Sequence, residues 1–598
     1  MKLPILNAQQ TSSETIDSFG GLNRSDKIGR GELHDMKNLT SDCAPLLSTR
    51  RPRGKVLGLQ KEGYICSKLL AGDNLCYTFD KLLFINRFPS YIGEAPSDLT
   101  AVFDLDLSGD SDTFLVSMGS YILVFPDKKY VNTADYSDRG DIEYEKTVHS
   151  ASFTPCDGSG NAYENVTASA AAPQNPQNGA LWLDTSGESH IMKIWSETAG
   201  SWSEIVTSYV KISVAASIMP GLREGDTVKI SGITDSRLSS INGYFEITAI
   251  GEDFFIIPAL IEKSVSPFST PFEVSRKMPV FDFIFECGNR LWACRCGENQ
   301  EGKQVNEIYA SRLGDFKNWN SFAGISSDSY AVSLGSEGAF TGAVNYLGYP
   351  TFFRENYIHK IYGSTPSQFQ LRTVRAAGVQ SGCGDSIADV SGTLFYKSRT
   401  AVCAYDGSAP SPVSQKLGDS IKCSSAVGAA LGRKYYISMK YSDGSAALYV
   451  YDSMRGMWHL EDNTDVLSFA SVQGELFYVE QNDRCTVRTV CGSGEADTEM
   501  FEWMAETGLI GTETPQKTYI SALSVRMSLE PSGRVMVFIQ YDSSGEWEHT
   551  ASITSSDLRC FSLPVHPRRC DHLRLKFQGK GSAKIFSVTR TLTRGSEL

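Results

Sequence analysis

Residues 288–322 read GNRLWACRCGENQEGKQVNEIYASRLGDFKNWNSF. Two short apolar runs, Arg290–Cys294 and Glu307–Ser311, flank a polar segment that contains glycine. Gly314 and Asp315 follow, and then Trp319 between two asparagines, Asn318 and Asn320. Short apolar runs broken by turn residues are the pattern of a β-hairpin. The Asn-Trp-Asn corner sets a large indole beside short side chains that can hydrogen-bond the backbone of a turn.

The same design recurs along the chain. Asn74–Phe79 and Lys81–Ile85 form one strand pair, and Gly119-Ser120 makes a tight turn within another. Further pairs lie near residues 350, 390–407, 433–462 and 468–481. A spacing of roughly 40–50 residues suits a propeller blade of short strands. Tyr405-Asp406-Gly407 and Tyr451-Asp452-Ser453 end strands in the same way, with an aspartate at the turn; in the second, Trp458 returns to the core. The expected fold is all-β: a propeller of about six or seven blades.

At about residue 150 the composition shifts to small, polar and proline-rich, and residues 150–277 read as an inserted small β domain. It carries Trp182, Trp195 and Trp202 on short strands, either as the core of that domain or as a platform on which sugar rings stack. The propeller then divides into residues 51–149 and 278–517, and the alternating strands of 518–598 read as a C-terminal β-sandwich. Residues 1–50 have few periodic apolar positions and read as an extended arm, lying along its own domain or reaching a neighbouring subunit.

With 598 residues the chain is too long for one core. Its net charge of −13 argues against nucleic-acid binding by a basic surface, though an acidic wall could line a passage through which DNA slides. Arg50, Arg51, Arg53, Arg568 and Arg569 are the densest basic spots, candidates for inter-subunit carboxylate pairing or for DNA contact. No apolar run reaches the roughly 18 residues of a spanning helix. The N-terminus lacks a signal-peptide core, so synthesis in the cytoplasm of the producing cell is expected.

The 14 cysteines form no CxxC pair, and free thiols without a metal are expected. Asp104, Asp106, Asp110 and Asp112 could approach a calcium ion but lack the glycine and distal glutamate of an EF-hand. The eight histidines are isolated, and His566 and His572 flank the segment where a metal or catalytic reading would have to lie. GxSxG, HExxH, P-loop and GxGxxG motifs are absent, so no catalytic residues, metal or cofactor are expected.

Several phrases carry a resemblance. FGGLNRSDKIGRGELHDMKNLTSDCAPLLSTRRPRG, GNRLWACRC with EIYASRLGDFKNWNSF, TFFRENYIHKIYGSTPSQFQL and GTLFYKSRTAVCAYDG are similar to virion proteins of bacteriophages. The chain resembles the tail-nozzle or DNA-stabilisation proteins of short-tailed phages, whose core is a β-propeller. PQNPQNGALWLDTSG, GDTVKISG, IQYDSSGEWE and PVHPRRCDHLRLKFQGKGS resemble segments of other phage structural proteins. The resemblance implies a tail component in the virion, made in the host cytoplasm. It implies a ring, often sixfold, around the DNA channel, with portal, adaptor and other tail proteins as partners and no catalytic residues. The alternatives are a glycan-binding or glycan-hydrolysing propeller, and a head–tail adaptor ring built of helices.

Overall fold

The computed structural model describes residues 11–58, 74–79, 81–87, 100–108, 113–418, 421–472, 474–490, 495–496, 500–511, 517–565 and 569–593. It is built almost wholly of antiparallel strands, with short 3₁₀ turns as its helical elements among the described residues. The helical-adaptor alternative is therefore set aside.

The 288–322 stretch folds as a hairpin: Leu291–Glu298 pairs with Gln304–Ala310, Cys294 opposite Ile308. Gly288 and Asn289 both have positive φ, 63° and 58°, at the tight turn that leads in from Phe283–Glu286. Two such residues in succession suit a hairpin twist, and glycine and asparagine tolerate the conformation best. Leu291, Trp292, Ala293 and Cys294 are all buried, because this strand has a packed sheet on each side. That explains an apolar run where a one-sided strand would alternate. Trp319 is buried, and its indole N–H donates to the Phe316 carbonyl at 3.0 Å.

Seven small meander sheets of this kind occur among the described residues, two before the insertion and five after it. Four of the contacts between successive sheets have an apolar cluster of their own, Leu83 with Leu115 and Val124, Met118 with Ile284, Trp292 with Phe352, and Tyr436 with Leu476, while Phe353, Phe395 and Tyr435 of the fourth, fifth and sixth sheets share one large cluster. The last sheet packs back on the first, Val472 and Phe477 against Leu75 and Tyr77. Such a closed succession of radially packed sheets is a β-propeller.

The insertion spans residues 144–276. Its first and last strands, Tyr144–Val148 and Phe272–Arg276, pair with each other, Tyr144 opposite Arg276. The boundary thus lies before residue 150, because the entering and leaving strands close the domain side by side. Phe153, Ile212, Ile230, Phe255 and Val274 form its own fully buried core between two sheets. A third small sheet, residues 167–204, is an excursion from it and carries the tryptophans.

The sandwich takes in more of the chain than residues 518–598. One sheet contains Thr11–Ile16, Leu39–Thr40 and Leu47–Thr49; the other contains Leu33–Lys37 and Glu502–Thr507. The segment expected to be an extended arm is therefore woven into its own chain, and Glu502–Thr507 belongs to the sandwich instead of the propeller. Trp503 and Ala505 are buried in the sandwich core, and that apolar cluster runs on without a break into propeller residues such as Tyr435 and Trp458.

Candidate functional site: the seam that closes the ring

Leaving the sandwich, the chain runs through Arg50-Arg51-Pro52-Arg53 into Gly54–Gly58, which pairs with Thr486–Thr489 on the last propeller sheet. A strand from the start of the chain thus completes a sheet otherwise built near its end. This long-range pairing spares Thr486–Thr489 an open edge.

Arg53 locks that strand. It is buried, with one guanidinium nitrogen 2.9 Å from Glu461 Oε2 and another 3.0 Å from Asp462 Oδ2. It also donates to Thr464 Oγ1 at 2.7 Å, and its guanidinium lies over the Tyr478 ring at 5.4 Å. Burial alone would lower its pKa, but Asp462, Tyr478 and Glu461 more than offset this and hold it well above the usual arginine value. Arg50 shifts the other way, because burial and the positive charge of Arg53 outweigh its carboxylate neighbours. Its Nε donates to Asn38 Oδ1 at 2.7 Å, and its guanidinium lies 4.7 Å over the Phe501 ring. Asn38 in turn donates from its backbone to Glu461 and from its side chain to the Glu502 carbonyl.

The rest of the N-terminal segment is fastened to the same propeller sheets. Ser41 donates to Asp452 at 2.6 Å, Lys434 pairs with Asp42 at 2.6 Å, and Lys416 pairs with Glu32 at 2.8 Å. Asp452 also accepts the Met454 and Arg455 amides at 3.1 Å, so the aspartate of the Tyr-Asp-Ser turn caps its bend and holds the N-terminal segment.

The structure corrects part of the expected basic surface. Arg53 cannot meet DNA or another subunit, because its charge is neutralised inside the chain, and Arg50 is largely engaged there too. Arg51 and Arg569 are exposed; Arg568 lies outside the described residues.

The three tryptophans do come together. Trp195 sits opposite Trp202 across neighbouring strands, with ring centroids 5.5 Å apart, and Trp182 meets Trp202 edge-on at 5.3 Å. Trp182 is buried, its N–H donates to the Ser169 carbonyl, and the Lys193 ammonium sits 4.8 Å from its ring centroid. It is a packing residue and offers no open face for stacking; Trp195 and Trp202 are half-buried.

Asp104 and Asp106 are exposed, and Asp106 pairs with Lys81 at 2.8 Å; Asp110, Asp112 and His566 lie outside the described residues. Among the described residues no cluster of three or more histidine, cysteine or acidic side chains is placed to hold a metal ion. The sequence singled out His572 and the segment that ends at Asp571 but gave no sign of Ser543; the three are in hydrogen-bond contact.

No known protein family matches the sequence, and no curated protein does. Among solved structures, an exo-β-1,3-galactanase of Phanerochaete chrysosporium with β-1,3-galactotriose is similar at 8% identity and a TM-score of 0.20, over 51% of this chain and 94% of that one. The WD40 domain of Toxoplasma gondii coronin is similar at 8% identity and a TM-score of 0.21, over 73% and 86%. Hsv2 of Kluyvelomyces marxianus is similar at 9% identity and a TM-score of 0.24, over 54% and 90%. Superpositions this loose transfer no site.

Proposed function

We propose that this protein is a structural component of a bacteriophage virion, a tail nozzle or hub subunit. In this reading about six copies form a closed ring around the DNA exit channel. The seven meander sheets are its blades, and portal, adaptor and other tail proteins are its neighbours. The observation that carries the reading is the seam: the N-terminal segment is paired into both sandwich sheets and into the last propeller sheet. A chain whose start is stitched into its far end resists local opening, which suits a part that bears load during genome ejection. The sequence resemblance points the same way.

The test is composition and placement. Mass spectrometry of purified virions should find the chain at a fixed stoichiometry, and a cryo-EM map of the tail should accept the propeller and sandwich together. Absence from particles would overturn the reading.

A second reading is favoured by a groove between the insertion and the third propeller sheet, lined by Tyr244, Phe322, Glu273, Glu301 and Glu307. Tyr244 and Phe322 are 49% and 63% exposed, leaving aromatic surface next to carboxylates. Such a lining suits a glycan, whose rings stack on aromatic faces while its hydroxyls donate to acidic oxygens. In this reading the chain binds a host-surface glycan. Binding on a glycan array that disappears in Phe322→Ala would support it, and an array with no binding would end it.

A further inference from the structure

At one end of the sandwich, the bend after Arg534–Tyr541 meets the residues that precede Leu573–Lys580. Ser543 Oγ lies 2.7 Å from His572 Nε2, and His572 Nδ1 lies 3.0 Å from Asp571 Oδ2. The backbone fixes this arrangement. Asp542 Oδ1 accepts the Asp571 amide at 2.7 Å and the His572 amide at 3.4 Å, while the Asp542 amide donates to the His572 carbonyl at 3.0 Å. Asp542 and Ser543 both have a φ of +51°, so the serine sits on a tight left-handed bend, a conformation costly for a residue with a Cβ.

The hydrogen bonds also set the tautomer. An ionised carboxylate only accepts, so the proton of the neutral imidazole lies on Nδ1, facing Asp571. Nε2 then has a free lone pair, and the Ser543 hydroxyl donates to it. The serine is exposed and the His572 side chain retains 16% of its surface, so an acyl group can reach Oγ from solvent.

We propose that Ser543, His572 and Asp571 form a nucleophile, a general base and its orienting carboxylate, and that the protein hydrolyses small, exposed acyl esters. Ser543 Oγ attacks the ester carbonyl carbon while its proton passes to His572 Nε2. Asp571 stabilises the imidazolium. Collapse of the tetrahedral adduct breaks the bond to the alcohol oxygen, which leaves with the proton from Nε2. Water then attacks the acyl-serine, giving its proton to Nε2, and the carboxylic acid departs as the serine is restored. The balance needs only ester and water.

The test uses the full-length protein with a fluorophosphonate probe and p-nitrophenyl acetate. The expected result is labelling of the wild type on the peptide containing Ser543, loss of label in Ser543→Ala, and turnover falling at least about 100-fold in His572→Gln. The rate of labelling should fall in His572→Gln in parallel with turnover. Far-UV circular dichroism and the unfolding midpoint of each variant separate loss of chemistry from loss of fold. An unlabelled wild type, or equal labelling in a folded Ser543→Ala, would overturn the proposal.

Discussion

Removing the Arg53 guanidinium would strand Glu461, 3% exposed, and the largely buried Asp462 without their shared cation. Asp462 would keep Arg50 at 3.6 Å, but Glu461 would be left buried without a cation, and breaking one side of a buried pair typically costs about 3–5 kcal/mol, because the remaining charge does not regain water. Arg53→Ala should therefore lower unfolding stability by about that amount in a denaturant titration, while the exposed Arg51→Ala should change it by less than about 0.5 kcal/mol. The sequence showed three arginines in four positions; it could not show that one of them meets carboxylates some 400 residues away. Two buried histidines give a second prediction at this scale. Burial, reinforced by Arg354 at His359 and by Lys434 at His459, pushes both down to about 4. An unfolded histidine titrates near about 6.5, so from there down to about pH 4 the unfolded chain binds more protons and stability falls with pH. Each site contributes roughly 3 kcal/mol above that window, and the contribution is lost across it. His359→Gln should flatten the fall in melting temperature between about pH 6.5 and 4 relative to the wild type.

The N-terminal strands depend on one close approach. Gly21 lies against the propeller, and a Cβ there would stand 2.4 Å from the Trp458 carbonyl oxygen and 2.9 Å from its nitrogen. The Leu22 amide donates to that same carbonyl at 2.6 Å. Gly21→Ala must push the segment away, and we expect a loss of about 1–3 kcal/mol together with faster limited proteolysis within residues 11–58. Unchanged proteolysis would show that the segment is held independently of this contact. Element by element, the hairpins were legible because turn residues and short apolar runs are local signals. The segment before residue 50 was not. Its strands are two to six residues long, and three of the four pair with partners at the far end of the chain, so no periodicity accumulates within it. Glu502–Thr507 was missed for the same reason: a strand's spacing says nothing about which sheet receives it. The Ser543–His572 contact joins positions 29 apart across a bend, with no motif linking them.

For the whole molecule, the two ends of the insertion make a separable prediction. Tyr144 and Arg276 face each other across an antiparallel pair, so the chain leaves and re-enters the propeller within about 5 Å. The insertion also has its own buried core. What ties it to the propeller is polar: Asn318 Oδ1 accepts the Thr227 amide at 2.7 Å, Arg312 donates to the Gly225 carbonyl at 2.8 Å and pairs with Glu246 at 2.9 Å, and Arg223 pairs with Asp138 at 2.9 Å. Asn318 is one of the asparagines beside Trp319; its turn was legible in the sequence, but its use as a link between domains was not. The two ion pairs are partly exposed and contribute little each, and the buried Asn318–Thr227 bond exchanges for bonds to water when the insertion is removed, so excision should remove a domain without opening the ring. Replacing residues 144–276 with a short glycine-rich link should leave a chain that unfolds in one cooperative transition, keeps its β-type circular dichroism and loses only a few degrees of melting temperature. Residues 144–276 expressed alone should fold. If excision instead gave an open, protease-sensitive chain, closure would depend on the insertion, and the seam at Gly54–Gly58 would not be sufficient to hold the propeller shut.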